Sequence, residues 1–166
     1  MNRRPATDRK LTLGPTAAEA TVRAAEPGDL PRVEHLLVAS GLPLAGVADA
    51  LAAGSFVVAE HDAELIGVAG LEVCCDNALL RSVAVADAWR ARGLGRALVS
   101  RVIAEAESRG IRALYLLTTT AEGYFPSFGF AGVLREQVPD DIRATEEFRG
   151  ACPASAVAMK LELRDQ

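Results

Sequence analysis

The sequence predicts a mixed α/β (α+β) domain in which a mostly antiparallel central sheet is flanked by helices. Short apolar runs separated by turn residues indicate strands, and they recur along most of the chain. Residues 95–109 instead carry apolar side chains at helical spacing, with polar residues on the opposite stripe. An apolar run precedes this helix at 78–86 and another follows it at 113–117, which is the pattern of a parallel β-α-β crossover.

Composition and charge restrict the class of protein. The chain has 166 residues, half of them apolar and 24% charged, which is enough for one domain with its own core. We expect a flexible tail over residues 1–20 and a single domain over residues 21–166. A net charge of −4 disfavours nucleic acid as a partner. The sequence shows neither a membrane-length apolar run nor a signal-peptide core, so we expect a soluble, cytoplasmic protein without a membrane partner.

The first half of the chain indicates a strand, two helices and a hairpin. Residues 21–24 favour a strand, and Asp29 can cap a helix that has Pro31 in its first turn and runs to about Ser40. A second short helix is expected over 44–53. The apolar runs 55–60 and 64–73 flank a three-residue turn, which predicts a hairpin.

The second half begins with the apolar run 78–86, interrupted only by Arg81 and Ser82, which predicts a strand buried in the middle of the sheet. The helix 95–109 and the strand 113–117 follow it. We expect at most two helical turns over 121–128, a strand starting at Gly129-Phe130, a short helix within 139–148 and a last strand over 155–163.

Three cysteines, Cys74, Cys75 and Cys152, form no C-x-x-C pair. We interpret them as small buried hydrophobic residues in a reducing compartment. A thiol site for a soft metalloid is the alternative.

The most specific motif, residues 83–96, joins the apolar strand to the striped helix. A glycine turn at a helix start presents backbone N–H groups and the positive end of the helix dipole to a ligand, and it lets phosphate oxygens approach closely. Arg90, Arg92 and Arg96 add positive charge within an acidic protein. The motif is therefore a candidate pyrophosphate site, with an ordinary strand-to-helix turn as the alternative. Leu98 at the third glycine position argues against a dinucleotide-binding motif, and the absence of G-K-[ST] argues against a nucleoside-triphosphate loop.

With Gly129-Phe130 further on, the pattern Arg90-x-x-Gly93-x-Gly95 resembles the GNAT N-acetyltransferases over about residues 21–163. The resemblance implies a GNAT-like sheet, acetyl-coenzyme A (acetyl-CoA) as cosubstrate and no metal. A homodimer, formed when the aliphatic last strand pairs across a sheet edge, is a further expectation from the resemblance. It implies that the turn binds the pyrophosphate and that the preceding strand holds the pantetheine and thioester. The expected cofactor-binding residues are Val83, Ala84, Val85, Arg90, Ala91, Arg92, Gly93, Leu94, Gly95 and Arg96, together with Thr118, which follows the next strand.

A narrower resemblance is carried by Leu42-Pro43-Leu44, Gly70-Leu71-Glu72, residues 79–85, residues 116–121, residues 145–148 and Cys152-Pro153-x-Ser155-Ala156. Together these resemble the arsenic-resistance (ArsN-type) N-acetyltransferases. Relatives of that group acetylate phosphinothricin or its arsenical analogue, which are glutamate-like compounds. A small-molecule amine of this kind is the implied acceptor.

Two residues are candidates for proton transfer. The family's usual acid is a tyrosine four residues before the glycine of the Gly-Phe pair. Here Phe125 holds that position, so Tyr124 beside it is the candidate acid, with a core role for Tyr124 as the alternative. Glu72 is the candidate base, because on a regular strand it shares a face with Ile66 and Val68 and burial would raise its pKa. The alternative is an ion-paired glutamate.

Arg81 is unexpected in a buried strand, where we expect it on one face with Val83 and Val85. It needs a carboxylate partner, either Glu72 or an anionic substrate. For a glutamate-like acceptor Arg81 is the natural clamp, and Arg143 and Thr145 are candidates for the opposite side.

The sequence therefore favours an acetyl-CoA-dependent N-acetyltransferase that acts on a small amine by direct attack. The change from tyrosine to Phe125 keeps a second function open, a non-catalytic acyl-CoA-binding sensor. A protein or peptide N-acetyltransferase is a third.

Overall fold

Seven strands form one sheet in the part of the chain that the computed structural model describes, residues 19–119, 123–151 and 155–163. The tail expected over residues 1–20 lies almost wholly outside this part. The strands are β1 (Thr21–Ala24), β2 (Phe56–His61), β3 (Glu64–Cys74), β4 (Asn77–Val85), β5 (Ala113–Thr118), β6 (Ala131–Val133) and β7 (Val157–Glu162). The helices are α1 (Leu30–Ala39), α2 (Val47–Ala52), α3 (Leu94–Ser108) and α4 (Asp140–Arg143). Single helical turns occur at Phe125–Phe128 and Glu147–Ala151.

The strand order is β1-β2-β3-β4-β5-β7-β6. Neighbouring strands in the described residues pair antiparallel, except that β4 and β5 run parallel and are joined through α3. The mixed, mostly antiparallel sheet and its single crossover are therefore confirmed. Strand β4 is fourth of seven, so its expected central position is confirmed as well.

Strand β7 is not at an edge of the sheet, and this corrects the sequence-based argument for a dimer. Its residue Met159 lies opposite Leu116 of β5 on one side and opposite Gly132 of β6 on the other. Both of its hydrogen-bonding edges are thus filled within the chain. The edge strands of this sheet are β1 and β6.

Helices cover both faces of the sheet. Helix α3 packs its buried residues Leu98 and Val102 on one face, and α1 and α2 pack Leu37 and Leu51 on the other. Helix α4 covers the remaining end of that second face through Ile142. Each fully buried side chain of this size contributes about 2 kcal/mol by leaving water. Within the described residues, no helix combines the length and apolar character that a membrane span requires.

A β-bulge in β4 changes which way its side chains point. Val68 of β3 lies opposite Ala84, and Gly70 lies opposite Arg81, so β4 places two residues where β3 has one. Ser82, in the bulge, has a φ of 59°. Arg81 consequently points toward the α1–α2 loop, whereas Val83 and Val85 pack with the α3-side core. The expectation that the three side chains share a face is wrong, because a bulge shifts the two-residue alternation by one.

A second bulge lies in β3. The consecutive residues Ala59 and Glu60 of β2 pair with Gly67 and Leu65 of β3, so Ile66 is an extra residue that shifts the alternation of β3 by one. Ile66 packs with the α3-side core, whereas Val68 packs with α1 and α2. Glu72 follows Val68 in the regular alternation. Its expected shared face with Val68 is thus confirmed, and that with Ile66 is wrong.

The cysteines differ in exposure. Cys74 at the end of β3 is half-buried, and burial raises the pKa of its thiol to about 11. Cys75 is exposed in the β3–β4 turn at a φ of 61°, so the interpretation of it as a buried hydrophobic residue is wrong. A tight turn leaves no core for its side chain. Cys152 lies outside the described residues.

Candidate active site

The candidate site is a cleft where two parallel strands separate. Strands β4 and β5 pair from Asn77–Ala113 to Leu79–Tyr115 and then diverge. A cleft of about 880 Å³ opens beyond that point. Its lining includes residues 80–85 of β4, residues 116–119 around the end of β5, the loop 40–43, Arg90, Gly95, Tyr124, Phe125, Glu147 and Ala156.

A left-handed glycine starts helix α3 at one end of the cleft. Gly93 is the N-cap residue with a φ of 87°, and Ala91 before it also has a positive φ of 63°. No side chain caps the helix start. The first-turn N–H groups, which have no partner within a helix, are therefore available together with the positive helix end. This arrangement binds anions.

The three arginines of the motif brace the turn. Arg90 Nε donates to the Val85 carbonyl at 3.0 Å, and its Nη1 lies 3.1 Å from Asp87. Arg92 Nε donates to the Ala88 carbonyl at 3.0 Å. Arg96 Nη2 donates to Ser127 Oγ at 2.9 Å, and its guanidinium carbon lies 4.6 Å from the centre of the Phe128 ring. The positive charge is thereby held close to the start of α3.

Tyr124 faces that helix start. A Cβ added at Gly95 would lie 3.3 Å from the Tyr124 hydroxyl, so the glycine leaves room for it. Tyr124 makes edge contacts with Phe125 and Phe128, and Phe125 is buried. Burial raises the pKa of Tyr124 above its usual value, and Arg96 offsets part of the effect. The hydroxyl is therefore protonated at neutral pH and can donate a proton into the cleft.

The expected cofactor-binding residues fall into two groups. Six of them line the cleft, namely Val83, Ala84, Val85, Arg90, Gly95 and Thr118. The others, Ala91, Arg92, Gly93, Leu94 and Arg96, form the turn and the start of α3. The Leu94 side chain is buried in the core, so only its backbone can serve a ligand.

Arg81 lies at the opposite end of the cleft lining, and its side chain is 0% exposed. Its Nη1 donates to Glu72 Oε1 at 3.0 Å, and its Nη2 donates to the Ala45 carbonyl and lies 3.5 Å from Glu147 Oε2. Its Nε donates to Ser82 Oγ at 3.1 Å. The guanidinium is thus held by two carboxylates of the chain itself.

The other residues expected at the acceptor lie outside the lining of this cleft as far as the chain is described. Glu72 forms an ion pair with Arg81, which agrees with the ion-paired alternative for this residue. Arg143 is exposed on α4 and pairs with Asp140. Thr145 is buried and donates to the Ile142 carbonyl at 2.7 Å.

Glu147 was not identified from the sequence. It is buried, lines the cleft and pairs with Arg81. Its neighbour Glu146 is exposed. Two consecutive glutamates in a short irregular segment carry no signal that tells which one points inward.

Comparison with known proteins agrees with this geometry. Residues 52–131 match the family model described as "Acetyltransferase (GNAT) domain". An uncharacterized N-acetyltransferase of Chlorobaculum tepidum is 30% identical over 94 residues, which are 52% of this chain and 56% of that protein. The chain therefore spans about half the length of this curated relative.

Two solved structures share the fold. The N-acetylglutamate synthase of Neisseria gonorrhoeae, complexed with coenzyme A (CoA) and N-acetyl-glutamate, has a TM-score of 0.75 at 24% identity and covers 87% of this chain and 35% of that chain. Rv2747 of Mycobacterium tuberculosis, in complex with CoA, has a TM-score of 0.73 at 25% identity, and the match covers 87% of this chain and 99% of that chain. The family match spans β3, β4, the glycine turn and α3, which are the elements that form one wall and one end of the cleft.

Proposed function

We propose that this chain is an acetyl-CoA-dependent N-acetyltransferase that acetylates the amino group of a small molecule. The observation that carries the proposal is the cleft between β4 and β5, which opens directly beside the uncapped glycine start of α3. A ligand with an anionic end and an extended arm fits this combination. Both solved structures described above contain CoA.

The shape of the helix start supports a pyrophosphate there. Gly93 adopts a conformation that L side chains rarely adopt, and Gly95 leaves a space that a Cβ would narrow against Tyr124. The backbone of residues 80–85, which no longer pairs with β5, is exposed to the cleft for an extended arm. Bound acetyl-CoA would supply the acetyl group as a thioester.

The chain's own groups match the needs of acetyl transfer to an amine. We propose that backbone N–H groups within Val83 to Val85, which line the cleft, polarise the thioester carbonyl. We propose that Tyr124, which lines the same cleft and is protonated at neutral pH, donates a proton to the departing thiolate. We infer direct attack by the amine, with no acyl-enzyme.

For the acceptor we propose a glutamate-like amino compound of the arsenical or phosphinothricin type. The motifs shared with the ArsN-type group support it, and the N. gonorrhoeae structure holds N-acetyl-glutamate. The cytoplasmic location and the homodimer stay predictions, and light scattering on the purified chain tests the second.

The test is release of free thiol from acetyl-CoA in the presence of a panel of acceptors. The panel contains L-glutamate, L-2,4-diaminobutyrate, phosphinothricin, a polyamine and a peptide with a free N-terminus. We expect thiol release with at least one small amine. Acetyl-CoA binding without release across the panel would favour the sensor, and release with the peptide alone would favour a protein N-acetyltransferase.

A further inference from the structure

We propose that Glu147 binds the ammonium group of the acceptor and takes its proton, and that Arg81 is the positioning residue that holds Glu147 in the cleft wall. This inference rests on the proposed function, and it assigns roles to two residues at the end of the same cleft where the acceptor would bind. It replaces the expectation that Arg81 clamps an anionic group of the acceptor.

The first argument is the charge of the cluster formed by Glu72, Arg81 and Glu147. Two carboxylates share one guanidinium, so the cluster carries one excess negative charge. Its members are little exposed to water, at 26% for the Glu72 side chain, 0% for Arg81 and 6% for Glu147. Poor solvent screening makes a cation beside these carboxylates favourable.

The second argument distinguishes the two glutamates. Glu147 is a lining residue of the cleft, whereas Glu72 makes the closer contact with Arg81, at 3.0 Å against 3.5 Å. Glu72 accepts a hydrogen bond from Arg81 and does not line the cleft. Glu147 is the carboxylate that faces the space an acceptor would enter.

The third argument is that this carboxylate lies near the part of β4 that we propose to hold the thioester. Arg81 directly precedes the bulge at Ser82 and lies two residues before Val83. An acceptor nitrogen near Glu147 therefore lies beside the part of β4 that faces the cleft. Leu42, Pro43 and Ala156 line the same space and offer apolar contacts to the body of a small acceptor.

Arg81 is suited to positioning because it ties several segments together. It bonds to β3 through Glu72, to the α1–α2 loop through the Ala45 carbonyl and to the turn 147–151 through Glu147. A Cβ at Gly46 would lie only 2.9 Å from Arg81 Nη1, so the loop comes this close because the residue is a glycine. Two of these segments flank the acceptor end.

The proton transfer balances simply. The ammonium nitrogen gives one proton to a Glu147 oxygen, which leaves a carboxylic acid and a neutral amine with a free electron pair. That pair forms the new N–C bond to the acetyl carbon while the C–S pair leaves with sulfur. The second proton of the nitrogen ends on sulfur, and Glu147 returns its proton to water.

The experiment compares Glu147→Gln with Glu146→Gln, a matched change at the exposed neighbour. Each variant is assayed with the fastest acceptor of the panel, which carries an ammonium group, and with methoxyamine, which is uncharged at neutral pH. For Glu147→Gln we expect kcat/KM for the ammonium acceptor to fall by about 100-fold. The loss should be much smaller with methoxyamine, and the KM for acetyl-CoA should be unchanged. Arg81→Met should reproduce the loss, and Arg81→Lys should restore part of it.

Two results would overturn the proposal. They are an unchanged kcat/KM in Glu147→Gln and an equal loss with both acceptors. An unmutated chain that binds acetyl-CoA but acetylates nothing would instead overturn the proposed function, so the two failures are distinguishable.

Discussion

At the scale of single residues, Gly93 is needed for its backbone conformation and not because a side chain would lack space. Its φ is 87°, yet a Cβ built there meets nothing within 4 Å. An L residue in this conformation costs about 1–2 kcal/mol. Any effect of an alanine at this position therefore comes from a change in the turn and not from a clash.

Gly93→Ala should weaken CoA binding by about tenfold. The alanine is strained at this φ by about 1.4 kcal/mol, and the turn relieves the strain by changing its backbone conformation, which redirects the N–H groups at the start of α3. Isothermal titration calorimetry measures the affinity. Gly110→Ala is the matched control, since Gly110 at the other end of α3 has a φ of 76° and equally open surroundings. Both variants should lose thermal stability, but Gly110→Ala should keep its affinity. Equal affinities in the two variants would show that the turn does not bind the cofactor.

Tyr124 carries the second residue-scale prediction. It acts as a donor only when protonated, so its contribution is lost as pH rises through its pKa. Because burial raises that pKa above the ordinary value of about 10, kcat should persist to beyond about pH 10. Tyr124→Phe should lower kcat by about 100-fold with little change in the KM for acetyl-CoA, and its pH profile should lack the alkaline decline.

The chain offers a control for this change in its other tyrosine. Tyr115 is buried in the core beneath α4 and is not part of the cleft lining. Tyr115→Phe should therefore keep kcat. A Tyr124→Phe variant with unchanged kcat and an intact alkaline decline would assign the thiolate acid to another group.

At the scale of elements, Asp29 joins β1, α1 and the turn between them. It accepts hydrogen bonds from Arg23 at 2.8 and 3.0 Å, from Arg32 at 2.6 Å and from the Glu26 N–H at 2.7 Å. The bonds from Arg23, above all, hold the pKa of this carboxyl well below its usual range. Its side chain is 5% exposed, so removing the charge weakens several charge-assisted hydrogen bonds to a buried acceptor.

Asp29→Asn should lower the free energy of unfolding by about 2–4 kcal/mol at pH 7. A carboxyl with a depressed folded-state pKa stabilises the fold fully above its unfolded pKa of about 3.9, and this stabilisation is lost as pH falls further. Urea unfolding at pH 7 and pH 3 should therefore show a smaller difference between the two proteins at pH 3. Asp49→Asn, at an exposed position of α2, is the control and should have little effect. A difference of the same size at both pH values would refute the assignment.

Most elements follow from the sequence because their patterns are local. The strand at 21–24 and the helix that ends before Gly110 lie where turn residues and apolar spacing put them. What escapes is pairing between distant segments. The bulge at Ser82 and the placing of β7 between β5 and β6 depend on contacts that no local pattern encodes.

The candidate site divides in the same way. The glycine turn could be predicted from the sequence because the residues that form it are consecutive. The structure places this turn at one end of the cleft. The acceptor end is assembled from the 40–43 loop, Arg81 and Glu147, which are far apart in sequence. Arg81 was noticeable as a charge in an apolar strand, but the bulge that turns it away from Val83 was not.

At the scale of the whole molecule, the cleft joins two separate cores. One wall, at Val83 and Val85, is continuous with the α3-side core, and the other wall reaches the segments around α1, α2 and α4. The two ends of the cleft differ in charge, with arginines around the helix start and the carboxylate of Glu147 at the other end. A ligand bound along its length would therefore hold both halves of the fold together.

Binding of CoA should consequently raise the melting temperature of the whole domain. At a concentration of about 100 times Kd, a ligand that binds only the folded state adds about 2.7 kcal/mol, which corresponds to roughly 5–10 °C in a domain of this size. Gly93→Ala, with about tenfold weaker affinity, should show about half of that stabilisation at the same concentration, and Gly110→Ala should show all of it. Differential scanning fluorimetry over a range of CoA concentrations measures this directly. A melting temperature that does not respond to CoA in the unmutated chain would refute the cleft as its binding site, whatever the acceptor.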